Sequence, residues 1–189
     1  MQKDKEQKIV ELAKTDATAF GELFDHYYPK IFNYVFRRTA DFESAQDITA
    51  ETFIKSLDKI KTFEWRGIPF SAWLYRIASN EIANHFRDKH SKNSSLEALL
   101  EEQGFEPIDE TDIQAELEAA EEEVSRHVKF LQVQKQILKL PIKYQEVLSL
   151  RYFENKTIDE ISQITNKKPG TVKSLLSRGI KKLRESATN

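Results

Sequence analysis

The chain has 189 residues, 39% hydrophobic and 11% aromatic, enough for packed cores in one large or two small domains and unlike a disordered chain. The absence of cysteine excludes disulfides, thiolate metal sites and cysteine nucleophiles, and suits a reducing compartment. No apolar run approaches the roughly 20 residues that span a bilayer, and MQKDKEQK leads into no signal-peptide core, so the expected location is cytoplasmic, without membrane insertion.

Five glycines, five prolines and no regular strand alternation predict an all-α fold. The first helical unit runs from about Lys8 to Lys89. Asp16 and Asp41 are its candidate N-caps, and FGELFDHYYPKIFNYVFRRT carries a dense apolar stripe expected to break at Pro29. DFESAQDITAETFIKSLDKIKTF predicts a helix with Ala45, Ile48, Thr52, Phe53 and Leu57 inward. Its outward face would carry Glu43, Asp47, Glu51, Lys55 and Asp58.

FEWRGIPF then reads as a loop that opens the helix SAWLYRIASNEIANHFRDKH. Here Phe63, Trp65, Phe70, Trp73 and Tyr75 interleave with Lys59, Lys61, Arg66, Arg76 and Arg87. Rings that stack on bases beside cations that pair with phosphates suit unpaired nucleotides. The same rings equally suit a small helical core, with Phe70, Leu74 and Ile77 inside.

Composition shifts after Lys92. Residues 93–112 hold seven acidic side chains and no basic one, with Gly104 and Pro107 among them, and read as an acidic flexible linker, with one helical turn at LEALLEE. Fully extended, those residues would reach roughly 65 Å. Ile113, Leu117, Ala120, Val124, Val128 and Leu131 then step at helical spacing toward Pro141. Acidic first turns and basic last turns on that helix are ordinary dipole compensation. IKYQEVLSLRYFE predicts one further helix. The resulting division is 1–92, a linker over 93–112, and 113–189.

From Thr157 to Arg184 the sequence reads as a helix-turn-helix. Thr157 and Glu160 form a T-x-x-E capping box, Ile158, Ile161 and Ile164 give one apolar face, and Asn166 suits a left-handed helix end. Pro169 fits the first position of the next helix, with Val172, Leu175, Leu176, Ile180 and Leu183 inward. Thr171, Lys173, Ser174, Ser177, Arg178, Lys181 and Lys182 occupy the other face. Hydroxyls and cations on a short second helix are what major-groove docking requires, although helix pairs of this kind also occur purely as packing motifs. From Val124 to Asn189 there are 14 lysines and arginines against 5 acidic residues, a local net of +9 in a chain whose total is −2. That concentration favours DNA.

Five segments in order resemble a bacterial RNA polymerase sigma factor of the compact extracytoplasmic-function type. They are FGELFDHYYPKIFNYVFRRT, SAQDITAETFIKSL, PFSAWLYRIASNEIANHFR, LPIKYQEVLSLRYFENKTIDEIS and KPGTVKSLLSRGIKKLRE. The resemblance implies two helical domains, the first for core polymerase and the promoter's minus-10 element, the second for its minus-35 element. It assigns Asp47, Glu51 and Phe53 to the polymerase clamp. Single-stranded minus-10 contacts are implied for the loop Phe63 to Phe70, which includes Trp65 and Arg66, and for Trp73, Arg76, Asn80, Asn84 and Arg87. Lys61 adjoins this group on the residue reading above. Arg151 is implied to meet the DNA backbone of the double-stranded minus-35 element, and Lys173, Ser174, Ser177 and Arg178 its major groove. Ala50 stands where the family often has Gln, and Asn84 where many relatives have Asp. Such proteins are commonly held by an anti-sigma factor, and no cofactor is expected for this chain.

The rival readings are an ordinary dimeric helix-turn-helix repressor or activator and an enzyme. His26, His85, His90 and His127 are scattered without metal-ligand spacing, and no phosphate loop or nucleophile elbow is present, so neither a metal site nor catalysis is expected.

Overall fold

The computed structural model describes residues 3–65, 69–92 and 132–187, and among these there are helices and turns but no strand. The linker, the turn expected at LEALLEE, most of the helix expected from Ile113, and Arg66 lie outside the described residues.

Helix α1 (Lys3–Ala13) buries Glu6, Ile9, Val10 and Ala13, a face at spacings of three, one and three. Its Glu6 carboxylate accepts a hydrogen bond from the hydroxyl of Tyr27 on α2 (Ala17–Thr39). Asp16 caps α2 by accepting from the Thr18 amide at 2.8 Å, and Ala40 ends the helix in the left-handed region at φ 51°. The expected break at Pro29 does not occur. Proline removes one ladder hydrogen bond, but Leu23, Tyr27, Ile31, Tyr34 and Val35 are buried on both sides of it, and that packing carries the helix through.

Asp41 caps α3 (Phe42–Lys59) through the Ser44 amide at 2.7 Å. Ala45, Ile48, Thr52 and Phe53 are buried as expected, but Leu57 is 48% exposed, because Ser56 and Ile60 take the inward positions at that end. A 3₁₀ turn (Ile60–Thr62) leads toward α4 (Phe70–Lys92). Phe70 and Leu74 are fully buried, whereas Ile77 is half-buried. Helices α2, α3 and α4 pack mutually, with α1 against α2.

The described part of the second unit opens within a helix, α5, described over 132–138. Gln145 donates to the carbonyls of Leu138 and Leu140, closing the turn at Pro141. The single helix expected after Pro141 is instead α6 (Ile142–Leu148) running into a π turn (Ser149–Phe153). Glu154 N–H bonds the Ser149 carbonyl five residues back, and Asn155 turns the chain at φ 52°. This extra residue per turn re-aims Phe153 and Glu154, which then leave the helix pointing toward α2 and α4.

Helix α7 (Ile158–Thr165) starts on the expected capping box. Thr157 Oγ1 accepts from the Glu160 amide at 3.2 Å, and the Glu160 carboxylate accepts from the Thr157 amide at 2.8 Å. Asn166 ends α7 at φ 53°, and Pro169 opens α8 (Pro169–Ala187). Ile161, Ile164, Val172, Leu175 and Leu176 are buried, and Ile180 and Leu183 pack partly against them. Helix α8 approaches α6 closely at Gly179, where an added Cβ would lie 3.0 Å from Leu148 Cδ1.

Candidate nucleic-acid interface

On α8, burial of Val172, Leu175, Leu176 and Gly179 leaves Thr171, Lys173, Ser177, Arg178, Lys181 and Lys182 exposed, with Ser174 half-buried among them. Arg178 donates to Ser174 Oγ through Nη2 at 2.6 Å and Nε at 3.2 Å, which holds the guanidinium along the helix surface. A shallow groove runs between the start of α7 and α8, bordered by Ile158, Lys173, Ser177, Lys181 and Arg184. Lys181 also faces Glu185 at 3.9 Å. Arg151 is exposed, and its guanidinium donates to the Lys156 carbonyl at 2.9 Å. The seven α8 residues therefore share one surface, and Arg151 lies in the π turn that precedes α7.

In the first unit, α4 is buried through Phe70, Leu74, Tyr75, Ala78, Ser79 and Ile82. Its opposite side carries Arg76, Asn80 and Arg87, all exposed, flanked by half-buried Trp73 and Asn84. Asn84 accepts from Arg87 at 3.1 Å. The aromatic cluster serves both readings at once. Phe63 (7% exposed) and Phe70 are inside, with ring centroids 5.5 Å apart, while Trp73 lies over both at 5.0 and 5.3 Å and Trp65 meets Phe63 edge-on at 6.2 Å. Phe63 thus supports the tryptophans from below and presents no free ring. Lys61 is exposed at the foot of the cluster.

On α3, Asp47 and Glu51 are exposed, beside exposed Ile54 and Leu57. Glu51 is engaged by Lys55 at 3.0 Å, which also reaches Glu81 of α4 at 2.7 Å. These hydrogen bonds, that to Glu81 foremost, raise the Lys55 pKa. Phe53 is only 4% exposed and packs edge-on against Phe24 at 4.8 Å. It supports this acidic and apolar face from beneath.

One feature could not be read from the sequence. Glu154, just after the π turn, accepts from Arg37 of α2 at 2.8 Å and from the Tyr75 hydroxyl of α4 at 2.6 Å, partners 117 and 79 residues away. Burial, and then the nearby Glu154 carboxylate, push the Tyr75 hydroxyl pKa upward. No local pattern in ENK marks Glu154 as different from any loop acid.

Residues 23–92 match the family model for Sigma-70 region 2, and residues 130–183 the model for Sigma-70, region 4. The ECF RNA polymerase sigma factor SigW of Bacillus subtilis (strain 168) is 34% identical, over 95% of this chain and 94% of its own. The chain belongs to the sigma-70 family of RNA polymerase sigma factors. A second relative of this sigma factor is the ECF RNA polymerase sigma factor BldN of Streptomyces coelicolor, 29% identical over 93% of this chain, which spans 63% of that protein's length. Among solved structures, CnrH in complex with the cytosolic domain of CnrY aligns over 97% of both chains with a TM-score of 0.69 and 16% identity, a likeness of fold. The sigma factor RpoE in complex with the anti-sigma factor NepR from Bartonella quintana aligns over 88% of this chain at a TM-score of 0.63 and 20% identity. Region 2 holds the α3 and α4 faces, and region 4 holds the helix-turn-helix. Among the described residues no helix of this sigma factor is long and apolar enough to cross a membrane.

Proposed function

We propose that this sigma factor joins core RNA polymerase and directs it to promoters through two separate DNA contacts. The unit over 113–189 reads the double-stranded minus-35 element by laying α8 in the major groove. Lys173, Ser174, Ser177 and Arg178 are the residues we assign to the major groove, with Thr171, Lys181, Lys182 and Arg151 assigned to further contacts along the DNA. The unit over 1–92 opens and holds the minus-10 element. Trp65 and Trp73 offer ring faces, Arg76 and Arg87 offer charge, and Asn80 and Asn84 offer base-edge donors and acceptors. Lys61 and Arg66 extend the same basic rim.

Melting requires no bond chemistry. Extruding a base costs a few kcal/mol of unstacking, and stacking on an aromatic ring returns about 1 to 3 kcal/mol per base, so two or three such contacts with phosphate pairing suffice. The protein is accordingly a binding subunit and not an enzyme, acting in the cytoplasm. Asp47 and Glu51, with Ile54 and Leu57 beside them, form the acidic and apolar face offered to the polymerase clamp, held in place by Phe53. An anti-sigma factor is the second protein partner that membership of this family suggests.

The observation that carries this reading is the presence in one chain of two exposed faces of different chemistry, rings with cations on α4 and hydroxyls with cations on α8. A gel shift with promoter DNA tests it. The isolated protein should bind poorly and the protein with core enzyme tightly. Tight, specific binding by the isolated protein as a dimer on a palindrome would reject it in favour of an ordinary repressor.

A further inference from the structure

One ammonium connects the α3 face offered to the polymerase with the α4 face offered to DNA. Lys55 Nζ lies 3.0 Å from Glu51 on its own helix and 2.7 Å from Glu81 on α4. The shorter contact is also the better covered, since the Glu81 side chain is 14% exposed and that of Glu51 47%. The hydrogen bond to Glu81 is the largest cause of the raised Lys55 pKa, so the ammonium stays charged at neutral pH.

Glu81 is oddly placed for an acid. No other carboxylate lies between Phe70 and Arg87 in the sequence, and helical spacing puts Glu81 one turn before Asn84 and two turns after Trp73. It therefore borders the strip that carries Arg76, Asn80 and Arg87. A phosphate chain laid on that strip would meet a carboxylate within the roughly 10 Å over which charges still act on one another at ~0.1 M salt. Lys55 answers that repulsion, because it neutralises Glu81 and draws the carboxylate toward α3, away from the strip. Holding the two helices together is a lesser role. A part-exposed bridge adds little to stability, and both helices are already anchored by fully buried side chains, Ala45 and Thr52 on α3 and Leu74 and Ile82 on α4.

We propose that Lys55 is a positioning residue for the minus-10 contact: by screening and retaining Glu81 it makes the ring-and-cation side of α4 acceptable to a phosphate backbone. The assignment rests on the two-contact sigma-factor reading and deepens it, because it names a residue on the polymerase-facing helix that acts on the DNA-facing one.

A double-substitution cycle separates charge from mechanics. Holoenzyme is assembled from core polymerase and the full chain, and its affinity is measured for a fluorescent single strand carrying the minus-10 region of a promoter that the unsubstituted protein transcribes. Lys55→Met should weaken this affinity about three- to fivefold at low salt, and by a smaller factor at high salt. Glu81→Gln breaks the same bridge but removes the repelling charge, and should leave the affinity unchanged or tighter. The double variant should return to within about twofold of the unsubstituted protein. Core affinity, titrated separately, should not fall with Lys55→Met, because Glu51 keeps its charge. A bridge that acted only by holding α3 to α4 would give a different pattern, with Glu81→Gln as weak as Lys55→Met and no recovery in the double variant. That pattern would overturn the proposal, as would an unchanged affinity for Lys55→Met. Circular-dichroism melts accompany each variant, and if Lys55→Met unfolds, Lys55→Gln takes its place. An unsubstituted protein that directs no transcription with core polymerase would reject the sigma-factor reading and the proposal with it, whereas the wrong pattern in an active protein rejects the proposal alone.

Discussion

The Arg178 guanidinium donates to Ser174 Oγ from Nη2 at 2.6 Å and from Nε at 3.2 Å, one turn apart on the exposed side of α8. Fixing a guanidinium before it meets DNA reduces the rotamer freedom lost on binding. Arg178→Ala should weaken minus-35 recognition by about 1 to 3 kcal/mol if the guanidinium reads a base edge. Ser174→Ala should cost less and chiefly relax discrimination at the same base pair. Transcription from a panel of single-base minus-35 variants checks both, and an unchanged panel for Arg178→Ala would refute this placement.

Trp73 and Phe70 are neighbours with different expected consequences. Phe70 is fully buried and Trp73 half-buried above it, centroids 5.3 Å apart. Phe70→Ala should destabilise the first unit by about 3 to 5 kcal/mol. Trp73→Ala should lose part of that and, in addition, reduce permanganate reactivity of minus-10 thymines more than it reduces core binding. Equal loss of melting and core binding would mean that Trp73 acts only as core.

Thr157→Ala removes the Thr157 Oγ1 acceptor from the amide of Glu160 and should cost about 1 kcal/mol of stability in the second unit. Thermal unfolding monitored by helical signal reads this directly. A substitution without effect would show that α7 is held by its packing on α4 and α8 alone.

Two glycines should respond in opposite directions. Gly21 lies inside α2 with nothing within 4 Å of an added Cβ, so Gly21→Ala should stabilise by about 0.5 to 1 kcal/mol through the lower helical entropy cost of alanine. Gly179 already places an added Cβ 3.0 Å from Leu148 Cδ1 and 3.5 Å from Tyr144 Cβ. Gly179→Val should therefore cost about 1 to 3 kcal/mol by overpacking α8 against α6. Denaturant midpoints of the two variants would separate these effects.

Local chemistry made much of this fold legible. Asp16, Asp41 and Thr157 cap helices because each side chain answers an orphan amide within three residues, and Asn166 turns left-handed at the end of α7. The exposed face of α8 followed from the spacing of its buried residues. What failed was set by tertiary context. Pro29 sits in an unbroken helix because burial on either side outweighs one lost hydrogen bond, and Leu57 points outward because Ile60 takes the inward position. The π turn and the pairing of Glu154 with Arg37 and Tyr75 join segments far apart in the chain, and no periodicity within either segment reports them.

Transcription by core RNA polymerase on a library of genomic fragments, with and without this protein, tests the central claim most directly. The account predicts new transcripts that start only in its presence, downstream of a shared pair of elements, and that disappear with Arg178→Ala and with Trp73→Ala. Identical transcripts with and without the protein would contradict it.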